Sequence, residues 1–437
     1  MSEPRSVALG DQRFFSFVPG LWSGEKPPLV KAAVLRSTNF RGDGLFDFED
    51  VAVLDVEARH LAGRRLQRGD IVIERSGGGP KQPVGRVAYF APPDDRQYAT
   101  SNFTTALRVV DPKSFDPEYV CLFLHALYQA GATEPLQRAT TGIRNLDWSA
   151  YRLFEIPLLG IHDQRSIARL LTTAREGVLL EEAQRDSLVK LKRSAMQALF
   201  TRGLRGEAQK DTKIGPVPQS WDVARLDYYA TVVSTRMSYA DLQESEDGDA
   251  IEMVRVLGVK VSDMNLPGNE TALIYAQLDK RVPSALAQRC CAPPGTVIFP
   301  KRGAAIATNK KRIANEWLVF DPNIIGVIAG KKLEKDFLFQ WFQSFDLRAI
   351  TEPGPTPQLN KKNLEPLLIA VPPREEQCEI AEVLEAIDRK IDLHRRKRVV
   401  LEDLFKALLH KLMTGEIRVS DLDLSALAPE ATAGAAA

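Results

Sequence analysis

The chain has 437 residues, 44% hydrophobic and 26% charged, with a formal net charge of +1. That length excludes one ordinary core, because domains usually run to about 100–200 residues. No apolar run approaches the ~20 residues of a bilayer span, and MSEPRSVALG lacks a secretory signal's apolar centre, so a cytoplasmic protein without membrane contact is expected.

Residues 1–160 read as a mixed α/β domain. VLRSTNF (34–40) closes a strand, and LQRGDIVIERSGGGPK (66–81) is a glycine turn, a β-rich run and a basic glycine loop. DPEYVCLFLHALYQAG (116–131) is an aromatic helix started by Asp116 and Pro117. TTGIRNL (140–146) leads into a long helix over 163–202 within the segment 161–207. Its stripe runs Ile167, Leu171, Ala174, Val178, then Glu181, Arg185, then Leu188, Lys192, Ala195 and Leu199. Gly203 stops it, since glycine enters the left-handed region cheaply. Residues 208–220, AQKDTKIGPVPQS, read as a polar linker.

A second mixed domain is expected over 221–373. It carries MVRVLGV (253–259), in which Arg255 and Gly258 stand where the first domain has Arg36 and Asn39. A basic glycine loop follows in PPGTVIFPKRGAAIATNKKR (293–312), then an aromatic helix in LEKDFLFQWFQSF (333–345), then GPTPQLN (354–360). The segment 374–418 holds a second helix over 375–414, striped by Ile380, Leu384, Ile387, Ile391, His394, Arg398, Leu401, Phe405, Leu408 and Leu412, with Gly415 as its stop. The Ala-rich end, 419–437, reads as a disordered tail.

These elements are two copies of one unit. A shift of 213 residues lays Leu146 on Leu359, Ile156 on Ile369, Gln164 on Gln377 and Leu199 on Leu412 without a gap. Two unrelated amphipathic helices would not share that register, so the chain is a duplication with two helices of ~60 Å, striped for coiled-coil packing. The expected fold is α+β, two mixed domains separated by a long antiparallel helix pair with an internal pseudo-twofold repeat. The second domain begins where helix one ends and finishes where helix two begins, which sets the helices antiparallel. The repeat then sets Glu181 against Arg398, Arg185 against His394, Val178 against Leu401 and Ile167 against Leu412. Only Lys192, opposite Ile387, fits poorly. The four polar residues Glu181, Arg185, His394 and Arg398 are the expected register markers.

Catalytic motifs are missing from the sequence. It has no Asn/Asp-Pro-Pro-Tyr/Phe and no GxxxxGK[ST], and Ser76 with the three glycines after it lacks the Lys-Ser/Thr of a phosphate loop. The four cysteines show no CxxC spacing and no two histidines pair on a helix face, so free thiols and no metal are expected. Pro93-Asp94 with Asp111-Pro112-Lys113 imitates a metal-dependent nuclease. The central proline suits no interior strand, however, and the stretch reads better as a turn. A purely structural coiled-coil scaffold would need neither the large domains nor their basic loops.

Charge is local rather than global. Positions 64–86 hold six basic residues against Asp70 and Glu74, and 301–312 hold five with no acidic residue. Beside glycines that let a backbone approach DNA, this marks Arg75, Ser76, Lys81, Lys301, Arg302, Lys310, Lys311 and Arg312 as candidate DNA contacts. Counted from Gly69 and Gly295, Arg75 matches Lys301 and Ser76 matches Arg302.

The phrases AMQALFTRGLRGE, IGPVPQSWDVARL, IAVPPREEQCEIAEVLEAIDRKI, LMTGEIR and GDIVIERSGGG, in this order and duplicated placement, resemble the specificity (S) subunit of type I restriction–modification systems over nearly the whole chain. The resemblance implies two target-recognition domains, each reading half of a split double-stranded DNA site, and no catalysis or cofactor in this chain. It implies docking of two methyltransferase subunits carrying S-adenosylmethionine, and through them restriction/translocase subunits that use ATP and magnesium. It also adds Arg36, Asn39, Arg144 and Gln358 as DNA-facing candidates.

Overall fold

The computed structural model describes residues 6–78, 82–140, 143–234, 239, 252–352 and 357–422. The chain forms two compact units, Met1–Glu182 with Arg396–Ala437, and Ala183–Arg395. The division does not follow the helix ends, because each long helix gives one half to each unit. Among the described residues no helix is long and apolar enough to cross a membrane.

In the first unit an antiparallel sheet runs in the order Phe15–Pro19, Thr104–Val109, Ile71–Glu74, Val87–Tyr89. A three-stranded sheet has Leu29–Leu35 at its centre, antiparallel to Ala52–Glu57 and parallel to Tyr98–Thr100. The second unit repeats this. Its larger sheet runs Ala230–Val233, Ile324–Ala329, Val297–Pro300, Arg312–Ala314, Ala272–Leu273. Its smaller sheet places Met253–Val259 antiparallel to Leu278–Pro283 and parallel to Trp317–Phe320. The central strands are apolar on both faces, Ile71, Val72 and Ile73 in one copy and Val297, Ile298 and Phe299 in the other, all with no exposure. Such runs form when a sheet is covered on both sides.

Helix α1 (Pro117–Gln129) starts at Asp116, whose carboxylate accepts from the Glu118 and Tyr119 amides. Helices α2 (Ile161–Arg202) and α4 (Arg374–Thr414) are the long pair, and α3 (Lys335–Ser344) is the second copy's aromatic helix, capped by Glu334. Gly203 and Gly415 take φ of 64° and 76° at the long helices' ends. The polar stretch 208–220, read as a linker, has regular structure. It folds into an antiparallel hairpin, Gln209–Thr212 on Gly215–Pro218, with Gly215 at φ 102° supplying the turn. The tail from 423 onward lies outside the described residues.

The long helices pack on each other, and within each unit their segments run in opposite directions. In the first unit Ile167, Leu171, Phe405, Leu409 and Leu412 join one core, and Gly177 lies against Leu401. In the second, Met196, Leu199, Ile380 and Leu384 do the same, and Lys192 bonds Asp388 at 2.7 Å. No residue of either expected stripe is exposed. At the polar centre, Glu181 lies 4.0 Å from Lys397, Arg185 donates to Asp186, and Arg398 donates to Glu402.

The joint between mixed α/β domain and long helix is the same in both copies. Gln164, fully buried, accepts from the Asp116 amide and donates to the Ser114 and Leu159 carbonyls. Gln377 accepts from the Glu334 amide and donates to the Lys332 and Pro372 carbonyls. One glutamine thereby satisfies the start of the aromatic helix and the strand-to-helix turn together.

Burial also makes the first unit acid-sensitive. His125 on α1 is 5% exposed, and burial, with Arg175 nearby, pulls its pKa from 6.5 down to about 4. The unfolded chain then binds a proton that the fold excludes between those values, so stability is complete above pH 6.5 and falls as pH drops toward 4. Urea unfolding followed on the first unit should show about 2 kcal/mol less stability at pH 5 than at pH 7. His125→Gln should flatten that slope, and an unchanged slope would assign it to other groups.

Candidate nucleic-acid interface

Three segments meet in each copy. In the first unit the glycine loop pairs with the strand that precedes α2: Ser76–Gly77 lies antiparallel to Ile143–Leu146, with Asn145 opposite Ser76 and Arg144 opposite Gly77. The Leu146 amide donates to the Arg75 carbonyl at 2.8 Å. In the second unit the Leu359 amide donates to the Lys301 carbonyl at 2.9 Å, and Arg302 bridges Gln358. Leu146 and Leu359 are partners under the 213-residue shift, so the matches of Arg75 to Lys301 and Ser76 to Arg302 are backbone equivalences. Candidates nearly 70 residues apart in sequence are thus neighbours.

The third segment is the turn after the first long strand. Arg86 pairs with the fully buried Glu74 and donates to the Ser37 carbonyl at 2.9 Å. Its counterpart Arg312 donates to the Met264 carbonyl at 2.9 Å. Each arginine ties its loop to the helical turn Ser37–Asn39 or Val261–Asn265. Burial holds the Arg312 guanidinium below its usual pKa, and both arginines are structural.

This geometry corrects the match of Arg255 to Arg36. Arg255 lies within the strand Met253–Val259 and pairs with Asp279 at 2.7 Å and Glu316 at 3.7 Å. The strands end at Leu35 and Val259, so Lys260 is the counterpart of Arg36 and Asp263 that of Asn39. In each turn that third residue's side chain accepts from the preceding amide, Arg36 at 3.0 Å and Lys260 at 2.8 Å. Lys260 is exposed and was missed because a shared arginine outweighed strand length in the comparison.

Two candidates turn inward. Asn39 is 3% exposed, and its amide donates to the Asp47 and Asp50 carbonyls, which leaves no edge for a base. Lys311 is 2% exposed. Its amine donates to the Phe345 carbonyl, and burial brings its pKa down to about 8. Lys310 bonds Asn265 across the two loops. Lys81 lies outside the described residues. What faces outward is Arg36, Arg75 and Arg144 in the first unit, each half-buried, and in the second exposed Arg302 and Lys260 with half-buried Lys301 and Gln358.

Arg75 has a distinct setting. Its guanidinium lies 4.6 Å over the Trp148 ring, and burial lowers its pKa. The carboxylates of nuclease-like spacing serve their own turns. Asp94 accepts from Arg96 and the Tyr98 hydroxyl, and Asp111 accepts from the Lys113 amide and Ser114. Among the described residues no group of three or more His, Cys, Asp or Glu could hold a metal.

Residues 302–403 match the model of the type I restriction modification DNA specificity domain. The chain is 23% identical over 84% of its length to a putative type I restriction enzyme MjaX specificity subunit of Methanocaldococcus jannaschii, covering 83% of that protein. It is 24% identical over 66% of its length to the type I restriction enzyme MjaVIII specificity subunit of the same organism, covering 68% of it. Its fold resembles the type I restriction–modification S subunit of M. genitalium, with TM-score 0.57 at 13% identity, 94% of this chain and 97% of that one being covered. A chain from a structural study of type I system assembly and conformational transition gives TM-score 0.52 at 16% identity, with 94% and 98% covered. The domain match over 302–403, the relatives along the chain and the shared fold all make this protein similar to the specificity subunits of type I restriction–modification systems.

Proposed function

We propose that this non-catalytic subunit reads a bipartite double-stranded DNA target, one half through each unit, with the helix pair setting the spacer. One observation carries the reading. The same three segments converge in both copies, and they present different outward side chains, Arg36, Arg75 and Arg144 against Lys260, Lys301, Arg302 and Gln358. A repeated backbone frame with altered chemistry suits two half-sites of different sequence. In this reading the helix pair docks two methyltransferase subunits, which bring S-adenosylmethionine, and restriction/translocase subunits join through them with ATP and magnesium. This chain binds none of these cofactors itself.

The purified chain, incubated with duplex DNA, magnesium and labelled S-adenosylmethionine, should bind DNA with strong salt dependence and neither methylate nor cut it. With its methyltransferase partner it should direct adenine methylation at two half-sites of fixed spacing, read by mapping methylated adenines in a host carrying the system. Label transfer or cleavage by the lone chain would overturn the reading, as would methylation at a single contiguous site.

A further inference from the structure

We propose that Trp148 is a positioning residue for base recognition, holding the Arg75 guanidinium as a flat donor pair for a guanine edge in the first unit's half-site. The inference rests on the recognition reading above and names one base class within it.

Arg75 is fixed through its backbone and stacked through its side chain. Its amide donates to the Phe103 carbonyl at 2.8 Å and its carbonyl accepts from Leu146 at 2.8 Å, so the Cα cannot drift. The guanidinium lies on Trp148 at 4.6 Å, and its Nε is buried with no hydrogen-bond partner. Trp148 is itself packed, edge-on to Phe17 at 4.9 Å and parallel to Tyr151 at 5.7 Å and 9°. Tyr151 is 1% exposed, so the column ends in the core.

Two other arginines of this unit spend their donors internally. Arg86 bonds Glu74 twice and the Ser37 carbonyl, and Arg108 bonds Asp70 twice and the Arg65 carbonyl. Arg75 is oriented by a ring face instead, which leaves its outer nitrogens uncommitted among the described residues. A phosphate contact needs only charge, and lysine serves it. A plane that stacks and forks suits the O6/N7 edge of guanine, where two parallel donors are required. The second unit lacks the device, because Lys301 stands for Arg75 and Lys361, paired with Glu365 at 3.2 Å, stands for Trp148. The two half-sites would then be read by different chemistry at one backbone position.

The test enriches duplex oligonucleotides with randomised windows on the full chain, or on its complex with the methyltransferase partner if the chain needs it. Wild type, Arg75→Lys, Trp148→Leu and Trp148→Phe are compared, with thermal unfolding of each. Wild type should select a guanine at one position of one half-site. Arg75→Lys and Trp148→Leu should lose that preference by roughly tenfold or more while selection in the other half-site persists. Trp148→Phe, which keeps a ring face, should retain most of it. Full guanine preference in Trp148→Leu would overturn the proposal. So would an equal loss at all positions together with lowered thermal stability, since that assigns Trp148 to the fold. Absence of any enriched motif in wild type would overturn the recognition reading, and this inference with it.

Discussion

Replacing Gln164 with leucine is expected to destabilise the first unit by about 2–4 kcal/mol, and Gln377→Leu to do the same to the second. Each glutamine is at most 1% exposed and makes three hydrogen bonds to backbone groups of two separate elements. Leucine fills the space but takes the side-chain partner from an amide and two carbonyls, and each such group that is shut off from water costs about 1–3 kcal/mol before relaxation. Glutamate keeps the acceptor while losing the two donors, so Gln164→Glu should fall between wild type and leucine. Denaturant unfolding with a probe in each unit reads the effect. A loss confined to one unit per mutation is expected, and a shift below 1 kcal/mol in both variants would mean that water replaces the amide. The functional consequence concerns spacing. The glutamine joins the start of the aromatic helix to the long helix, so under the proposed bipartite reading its loss should also blur the distance between half-sites in methylation mapping.

The long helices and the glycines that end them were legible because period and chirality act locally. A stripe at spacings of three and four must be buried, and a residue at φ above 60° favours glycine. The block from Gly69 to Arg86 was legible too, since its counterpart at Gly295 to Arg312 keeps length without insertion. The turn after the first strand was misjudged at Arg255, where a matching side chain competed with the strand's true end at Val259. Inward-facing candidates were beyond sequence reasoning. Lys311 and Arg302 lie in one basic run, and only the packing of α3's end, whose Phe345 carbonyl takes the Lys311 amine, separates a buried cation from an exposed one. Trp148 carried no signal at all, because its partner Arg75 is 73 positions away and the loops meet only through strand pairing.

Asp388→Ala is expected to cost the second unit about 3–5 kcal/mol, and the paired change Lys192→Met with Asp388→Leu to restore most of it. Lys192 is the residue that fitted poorly against Ile387 in an apolar seam. The structure turns it to the neighbouring Asp388, with both carboxylate oxygens at 2.7 Å from its amine. The two side chains are 14% and 17% exposed, and Asp388 also accepts from the Gln340 amide at 2.9 Å. One carboxylate therefore binds three elements, α2, α3 and α4. Removing it strands a partly buried ammonium and takes the Asp388 acceptor from the Gln340 amide, whose Oε1 is already buried and unpaired among the described residues. Removing both charges leaves an apolar contact, and desolvation of the ion pair no longer opposes folding. The energetic gain of the pair over a hydrophobic replacement is therefore small, and its value lies in alignment. A sliding helix pair can re-form leucine contacts one heptad away, but there the Lys192–Asp388 pair is broken. Cysteines at Val178 and Leu401, in a chain lacking the native four, should crosslink readily in the wild-type background. The apolar double variant should add crosslinks to positions a heptad away. If the double variant keeps a single crosslinked register, alignment is set by the apolar stripe and the helix ends rather than by this pair.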